Sequence, residues 1–239
     1  LTAGFSRVDS LPPELAATLR LRAGMPVSAE EVRTLPPVRD CWQVLGVRDE
    51  PEDNLMVRRV WLRGVRTGRP ALVLSFAAPG QVFATDLVVG TELDADLCFY
   101  PEHLRVLIAR RHAPATPITK IGAAMPVGAA MREYAKALAA DPWVERWPMV
   151  LAGVVPVKVA RTWCLTPTCH TGPSDEPDPS GQRDQSGEDG EAVPLDPAAG
   201  APWRLVAVSG GRPVTVAGEW TASGLRPLSV WRRDRLVRL

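Results

Sequence analysis

Leu55-Met56-Val57-Arg58-Arg59-Val60-Trp61-Leu62-Arg63, the loop Gly64-Val65-Arg66-Thr67-Gly68-Arg69, and Pro70-Ala71-Leu72-Val73-Leu74-Ser75-Phe76 carry the clearest structural signal in the chain. Two apolar, β-branched runs flank a short loop with two glycines, which is the pattern of a β-hairpin. Cys41-Trp42-Gln43-Val44-Leu45-Gly46-Val47 before it reads as a strand, and Asp94-Ala95-Asp96-Leu97-Cys98-Phe99-Tyr100 after it as another, followed by a short amphipathic segment from Leu104 to Arg111. Residues 41–112 are therefore expected to be β-rich.

Outward from this centre the period changes. Residues 1–40 read as short helices broken by prolines: Ser10 is placed to cap a helix from about Pro12 to Arg22, and Ser28 with Glu30 and Glu31 starts a second turn that Pro36-Pro37 ends. Residues 113–153 read as helical. Pro126 stands at a helix start, Met131, Tyr134, Ala135 and Leu138 follow at helical spacing, and Asp141-Pro142-Trp143 restarts the helix with Trp143, Trp147 and Val150 on one face. Residues 154–239 return to β, with Trp203–Val208, a Gly210-Gly211 turn and Pro213–Trp220 read as a hairpin that Leu225–Trp231 and Leu236–Leu239 extend into a meander. No internal repeat of fixed period is visible. The expected class is α+β: two β-rich antiparallel segments bridged by helices, with a short helical N-terminal part.

Length and composition suit a globular protein. The chain has 239 residues, 46% apolar and 23% charged, with 24 prolines that shorten helices and multiply turns. No apolar run is long enough to span a membrane, and Leu1–Ser10 lacks the charged start and apolar core of a signal peptide. Four scattered cysteines (Cys41, Cys98, Cys164, Cys169) do not make a disulfide framework and are expected as reduced thiols, which places the chain in the cytoplasm. Opening on Leu1 and in mid-loop, it is expected to be the remainder of a longer protein.

The net charge of +1 conceals an uneven layout. Thr171–Asp196 holds eight acids against one base, Arg183, a net −7 that leaves +8 for the rest. Within it, residues 171–190 have no aliphatic side chain to offset the entropy of ordering and are expected to form a mobile acidic loop. Arg58, Arg59, Arg63, Arg66 and Arg69 fall within twelve residues without an acid, and Trp61 shares a strand face with Arg59 and Arg63. Arginine interleaved with an aromatic is what a nucleic-acid surface uses, so these six are candidate nucleic-acid-binding residues; the competing reading is that a solvated strand face simply needs charge. Arg226, Arg232, Arg233, Arg235 and Arg238 form a second basic cluster with Asp234 its one acid.

Catalytic and metal constellations are weak. Cys98 and His103 lie five apart, but no cysteine-nucleophile signature surrounds Cys98, and a buried structural thiol competes with a nucleophile. Glu219 is a lone acid at a strand end, with no partner for acid–base work. Cys164, Cys169 and His170 offer three zinc-ligand types at C-x4-C-H spacing, with adjacent Cys-His ligands and no fourth in sight. No phosphate-binding glycine loop, G-x-S-x-G or H-E-x-x-H occurs.

Several segments together resemble the C-terminal region of bacterial SWIM zinc-finger family proteins: Leu11-Pro12-Pro13-Glu14-Leu15, Pro36–Gly46, Arg59–Gly64 with Thr67–Leu74, Phe99-Tyr100-Pro101, Pro142–Pro148, Pro202–Gly211 and Gly218-Glu219-Trp220. The likeness covers most of the chain in texture and includes no functional motif. The family's finger pairs C-x-C with C-x-H near its N-terminus; this chain has neither, so the resemblance carries no zinc ligand to any position here and implies zinc only in a part preceding Leu1. It implies a non-catalytic interaction or scaffold region supporting nucleic-acid or protein binding, with no cofactor in this chain and no membrane partner, and is silent on small molecules. The rival is an enzyme of unassigned type with a cleft around Cys98, His103 and Glu219. If residues 171–190 form the mobile loop, limited proteolysis of the purified chain cuts there first; first cleavage elsewhere, with that stretch protected, would contradict the expectation.

Overall fold

A computed structural model describes residues 8–83, 86–101, 104–122, 124–168, 192–233 and 235–239. The expected acidic loop 171–190 lies outside the described residues. In chain order the elements are helices α1 (Pro13–Arg22) and α2 (Ala29–Thr34), strands β1 (Val38–Glu52), β2 (Leu55–Gly64), β3 (Pro70–Ala77), β4 (Thr91–Phe99), β5 (Val106–Arg111) and β6 (Thr116–Pro117), helix α3 (Val127–Ala140), strands β7 (Trp147–Val159), β8 (Thr162–Pro167) and β9 (Val193–Pro194), helix α4 (Trp203–Ser209), and strands β10 (Val214–Thr221), β11 (Gly224–Arg232) and β12 (Arg235–Arg238). Antiparallel sheet dominates, with the helices subordinate. Among the described residues no helix is long and apolar enough to cross a membrane. The chain divides into two units, residues 1–123 with 137–144 and 238, and residues 124–136 with 145–237 and 239.

In the first unit, α1 starts on Pro13 with Pro12 as its N-cap and no side-chain cap, so Ser10 does not play that part. α2 has the expected capping box: Glu31 N–H donates to Ser28 Oγ at 3.2 Å and Ser28 N–H to Glu31 Oε2 at 2.8 Å. The sheet runs β3-β2-β1-β4-β5. β1 serves two neighbours, pairing β2 through residues 42–52 and β4 through residues 38–43, with a bulge between Val44 and Gly46. The outer strands then meet: Leu72 N–H donates to the Leu104 carbonyl at 2.6 Å, and Leu72 bridges Arg105 in parallel. The sheet thereby curls into a barrel. Its interior is made by alternate residues, with Trp42 and Val44 on β1, Val60 and Leu62 on β2, and Leu93 and Leu97 on β4 all within one buried cluster. Each such side chain contributes about 1.5–3 kcal/mol by leaving water, and a one-residue slip would turn the whole set outward.

The second unit repeats this connectivity. Its sheet runs β12-β11-β10-β7-β8-β9. The long first strand β7 is again shared, pairing β10 through residues 147–154 and β8 through residues 154–159, with a glycine, Gly153, near the changeover. The ends again meet in parallel: Leu195, just past β9, bridges Leu225 at the start of β11, and Asp196 N–H donates to the Leu225 carbonyl at 2.9 Å. Numbered from its own first strand, each unit closes in the order first, second, third, fifth, fourth, first. That is the connectivity of the five-stranded OB barrel. In the second unit α4 lies between the third and fourth strands, while β12 adds an extra edge beyond the barrel. The absence of a sequence period is therefore not the absence of a structural repeat: two dissimilar sequences share one hydrogen-bonding scheme.

Two local readings are corrected. Trp203–Val208 is helix and not the first strand of a hairpin; Leu205 and Ser209, four apart, are both buried, and Gly210 closes the helix in the left-handed conformation at φ 55°. A six-residue, mostly apolar run does not by itself distinguish a strand from a short helix. The helix expected to restart at Asp141 does not: α3 ends at Ala140, Asp141 Oδ1 accepts from Trp143 N–H at 3.0 Å in a local turn, and Trp147–Gly153 belongs to β7. Trp147 through Leu151 are all buried, so the aromatic spacing that reads as one helical face belongs to a strand covered on both faces. The amphipathic segment from Leu104 to Arg111 contains strand β5, within the segment read as β-rich.

Closure of the second barrel makes a sharp demand at Gly224. Its φ is 122°, and a Cβ there would stand 2.7 Å from the Pro194 carbonyl oxygen and 3.1 Å from Asp196 N, backbone atoms that have no room to yield. Gly224→Ala should lower unfolding stability by about 2–4 kcal/mol through strain and a forced parting of the third and fifth strands. Chemical denaturation monitored by tryptophan fluorescence would show it, and a variant within about 0.5 kcal/mol of the parent would refute the reading.

Candidate nucleic-acid interface

The arginine-rich hairpin is free of acid in sequence but not in space. Antiparallel pairing lays β2 against β1, and the acids of β1 meet the arginines. Arg58 forms a fork with Asp49, both bonds at 2.7 Å, and its guanidinium lies 4.2 Å from the Phe83 ring centroid. Arg59 reaches Glu50 at 2.6 Å and Glu52 at 3.1 Å, and Arg48 also pairs with Glu50. Arg69 sits 3.5 Å over the Phe99 ring. Trp61 and Arg63, expected to share an outward face with Arg59, keep only 1% and 4% exposure. A base cannot stack on a ring that is already covered. Of the six hairpin candidates, Arg66 keeps the freest side chain, at 64% exposure.

Arg66 belongs to a construction centred on Asp40, whose side chain is fully buried. The Asp40 carboxylate accepts from the backbone N–H of Cys41 at 2.7 Å, Arg66 at 3.1 Å and Thr67 at 2.8 Å, and from the Thr67 hydroxyl at 2.7 Å. Arg66 Nε adds a bond at 3.3 Å, and Arg66 Nη2 donates to the Arg39 carbonyl at 2.9 Å. The 65–69 loop is thus held by one acid of β1. Burial pushes the Asp40 carboxyl up, but the bonds from Thr67, Arg66 and Cys41 together outweigh it and hold the group below its ordinary value.

The catalytic rival finds little geometry. Cys98 is 1% exposed, its Sγ lies 3.6 Å from the Leu35 carbonyl, and burial, with the nearby Asp96 charge, pushes its thiol up, away from the reactive thiolate. His103 lies outside the described residues. Glu219 is fully buried in the second unit and accepts from Arg146 Nη1 at 3.0 Å. Among the described residues no three His, Cys, Asp or Glu side chains group to hold a metal ion; Cys164 is buried on β8, and Cys169 and His170 lie outside the described residues.

A different surface on the second unit combines aromatic and cationic character. Trp163 of β8 and Trp203, the first residue of α4, meet edge to face with centroids 5.6 Å apart and planes at 80°. Trp203 is 66% exposed. Lys158 stands directly opposite Trp163 in the β7–β8 register, Arg161 lies in the turn between those strands, and Arg204 follows Trp203. All three cations are exposed, and none forms an ion pair among the described residues. The sequence alone does not bring this group together, since Trp163 and Trp203 lie forty residues apart and the run from Trp203 reads as a strand.

The hydrogen-bonded Asp40 sets a pH dependence. Its folded-state pKa lies below the ordinary carboxylate value, as do those of Asp49 beside Arg58, Asp86 beside Arg111 and Asp94 beside Arg39. Their stabilisation is fully present above about pH 4 and is lost as pH falls through the lowered values. Asp40→Asn, which turns an amide NH2 toward existing donors, should cost about 1–3 kcal/mol at pH 7 and flatten the acid limb. Urea titrations between about pH 7 and pH 2.5 measure both, and equal stability of variant and parent at pH 7 would sink the assignment. Comparison of the chain with family models, with curated proteins and with solved structures returns no match.

Proposed function

We propose that this chain is a non-catalytic binding region whose second barrel holds single-stranded nucleic acid. The observation that carries the reading is the exposed Trp203, set edge-on to Trp163 and flanked by Lys158, Arg161 and Arg204 without acidic partners among the described residues. Unpaired bases stack on aromatic rings while cations neutralise the backbone, and this needs no sequence readout. The OB connectivity is compatible with that use, since such barrels serve as oligonucleotide and oligosaccharide binders, but fold alone does not decide function. The hairpin of the first unit is not needed for this reading: Arg58, Arg59 and Arg66 are paired with acids, Arg69 lies over Phe99, and Trp61 and Arg63 are covered.

The resemblance to the C-terminal region of SWIM zinc-finger proteins belongs to the same reading. A zinc-bearing element elsewhere in a longer chain would choose the partner, and this region would supply sequence-tolerant contact. A protein partner is the second reading; the apolar side chains it has in its favour are Val82 and Val88, 93% and 61% exposed between β3 and β4.

Titrating the protein with an oligothymidylate of about 15 nucleotides, within the range of OB site sizes, tests the proposal. Binding should quench tryptophan fluorescence and weaken with salt at a log–log slope near −2, about −0.7 for each of three phosphate contacts. Trp203→Ala should weaken it roughly tenfold, about 1.4 kcal/mol. No binding at low salt would end the nucleic-acid reading and leave the protein-partner one.

A further inference from the structure

We propose that a small pocket beside Trp203 takes one unstacked base and makes the second barrel prefer pyrimidine-rich single strands; the inference deepens the proposed function and rests on it. The pocket measures about 140 Å³ and lies between the turn Pro197–Ala199, the first residues of α4, Pro227 of β11 and Leu239, all within the second unit.

Its position ties it to the stacking surface. Pro202 and Arg204, the residues on either side of Trp203, both belong to its lining, so it begins one residue step, about 3.8 Å between Cα atoms, from the stacking position. Leu195, also in the lining, donates its N–H to the Trp163 carbonyl at 2.8 Å. Neighbours of both tryptophans thus form the wall, and a strand with one base on Trp203 brings its next base to the pocket. Lys158, Arg161 and Arg204 stand exposed on the same surface with no acid among the described residues, which favours a polyanion over an apolar peptide as the occupant.

The lining reads size rather than base edges. Leu195 and Leu205 keep 5% and 1% exposure, and Pro202 and Pro227 are half-buried. Proline side chains lose no rotamer freedom on contact and their ring nitrogens offer no N–H. Asp196, the acid in the lining, is already committed: its Oδ1 accepts from Ala198 N–H at 2.9 Å, and its Oδ2 from Arg226 Nε at 3.0 Å and Nη2 at 2.6 Å. A volume of about 140 Å³ holds far more than a water, which claims about 30 Å³, and falls below the roughly 300 Å³ at which pockets for whole small molecules begin. A single six-membered ring suits that space. A purine, with its second fused ring, overfills it, and overfilling a packed site is unfavourable.

Fluorescence titrations of the whole chain with oligothymidylate and oligodeoxyadenylate, each of about 15 nucleotides at low salt, test the pocket. The parent should bind the thymidylate about fivefold more tightly, a modest preference of the kind that shape and stacking produce. Ala199→Leu and Ala201→Leu, two separate substitutions at exposed positions of the lining, should reduce that ratio to within about twofold by weakening the thymidylate alone, with circular dichroism checking the fold. Adenine self-stacking affects parent and variants equally, so the change in ratio reports the pocket. Trp203→Ala should weaken both oligonucleotides and leave the ratio in place, which separates stacking from insertion. If both oligonucleotides bind and neither filling variant changes the ratio, the pocket holds no base and this proposal falls while the stacking surface stands. If neither oligonucleotide binds, the proposed function falls and the pocket reading with it.

Discussion

Both units depend on one constraint: a long first strand must hydrogen-bond a different neighbour with each half. β1 pairs β4 through residues 38–43 and β2 through residues 42–52, and β7 divides itself between β10 and β8 in the same way. A strand can do this only by bending, and the bulge at Val44/Gly46 marks the bend in the first unit. Once the first strand is bent, the third and fifth strands are carried toward each other and close in parallel at Leu72–Arg105 and Leu195–Leu225. Closure satisfies backbone groups that an open sheet would leave at its edges. It also creates the inside that Trp42, Val60, Leu62 and Leu97 fill. In the second unit a side chain reinforces the closure, since Asp196 donates its N–H to the Leu225 carbonyl while its carboxylate accepts from Arg226 at 2.6 and 3.0 Å.

The same pairing redistributes charge. Laying β1 beside β2 brings Asp49, Glu50 and Glu52 onto Arg58 and Arg59, so the segment densest in arginine becomes one of the better-neutralised parts of the first unit. Such half-exposed pairs add little stability, on the order of 0–1 kcal/mol each. Their larger effect is to cancel a field that would otherwise attract phosphate. In the second unit Lys158, Arg161 and Arg204, around Trp203, are left without an acid among the described residues. Potential attraction for anions therefore follows the pairing scheme and not the local count of arginines.

Aromatic residues show the same dependence on context. Trp61 and Trp203 both lie within two positions of an arginine in sequence, yet one is 1% exposed and the other 66%. Trp61 points away from the barrel interior and is nonetheless covered, whereas Trp203 begins a short helix whose buried positions are Leu205 and Ser209 and so projects outward. Glu219, a lone acid in sequence, finds its partner in Arg146, 73 residues away.

Local sequence determined what depends on neighbours a few residues apart: the β2–β3 hairpin with its alternating core face, the Ser28–Glu31 capping box, the helix opening near Pro126, and the predominance of β structure outside the N-terminal helices. Alternation and capping act over one to four positions, so they can be read without knowing the fold. Tertiary structure alone decided that Trp147–Gly153 is a strand and Trp203–Ser209 a helix, because short, mostly apolar runs satisfy either period and only their partners choose. It decided equally that the chain carries one connectivity twice, since a shared hydrogen-bonding order demands backbone geometry and not a repeated set of side chains. And it decided which arginines are free to meet an anion, because Coulomb attraction depends on distance in space, and the acids that neutralise the hairpin reach it from another strand.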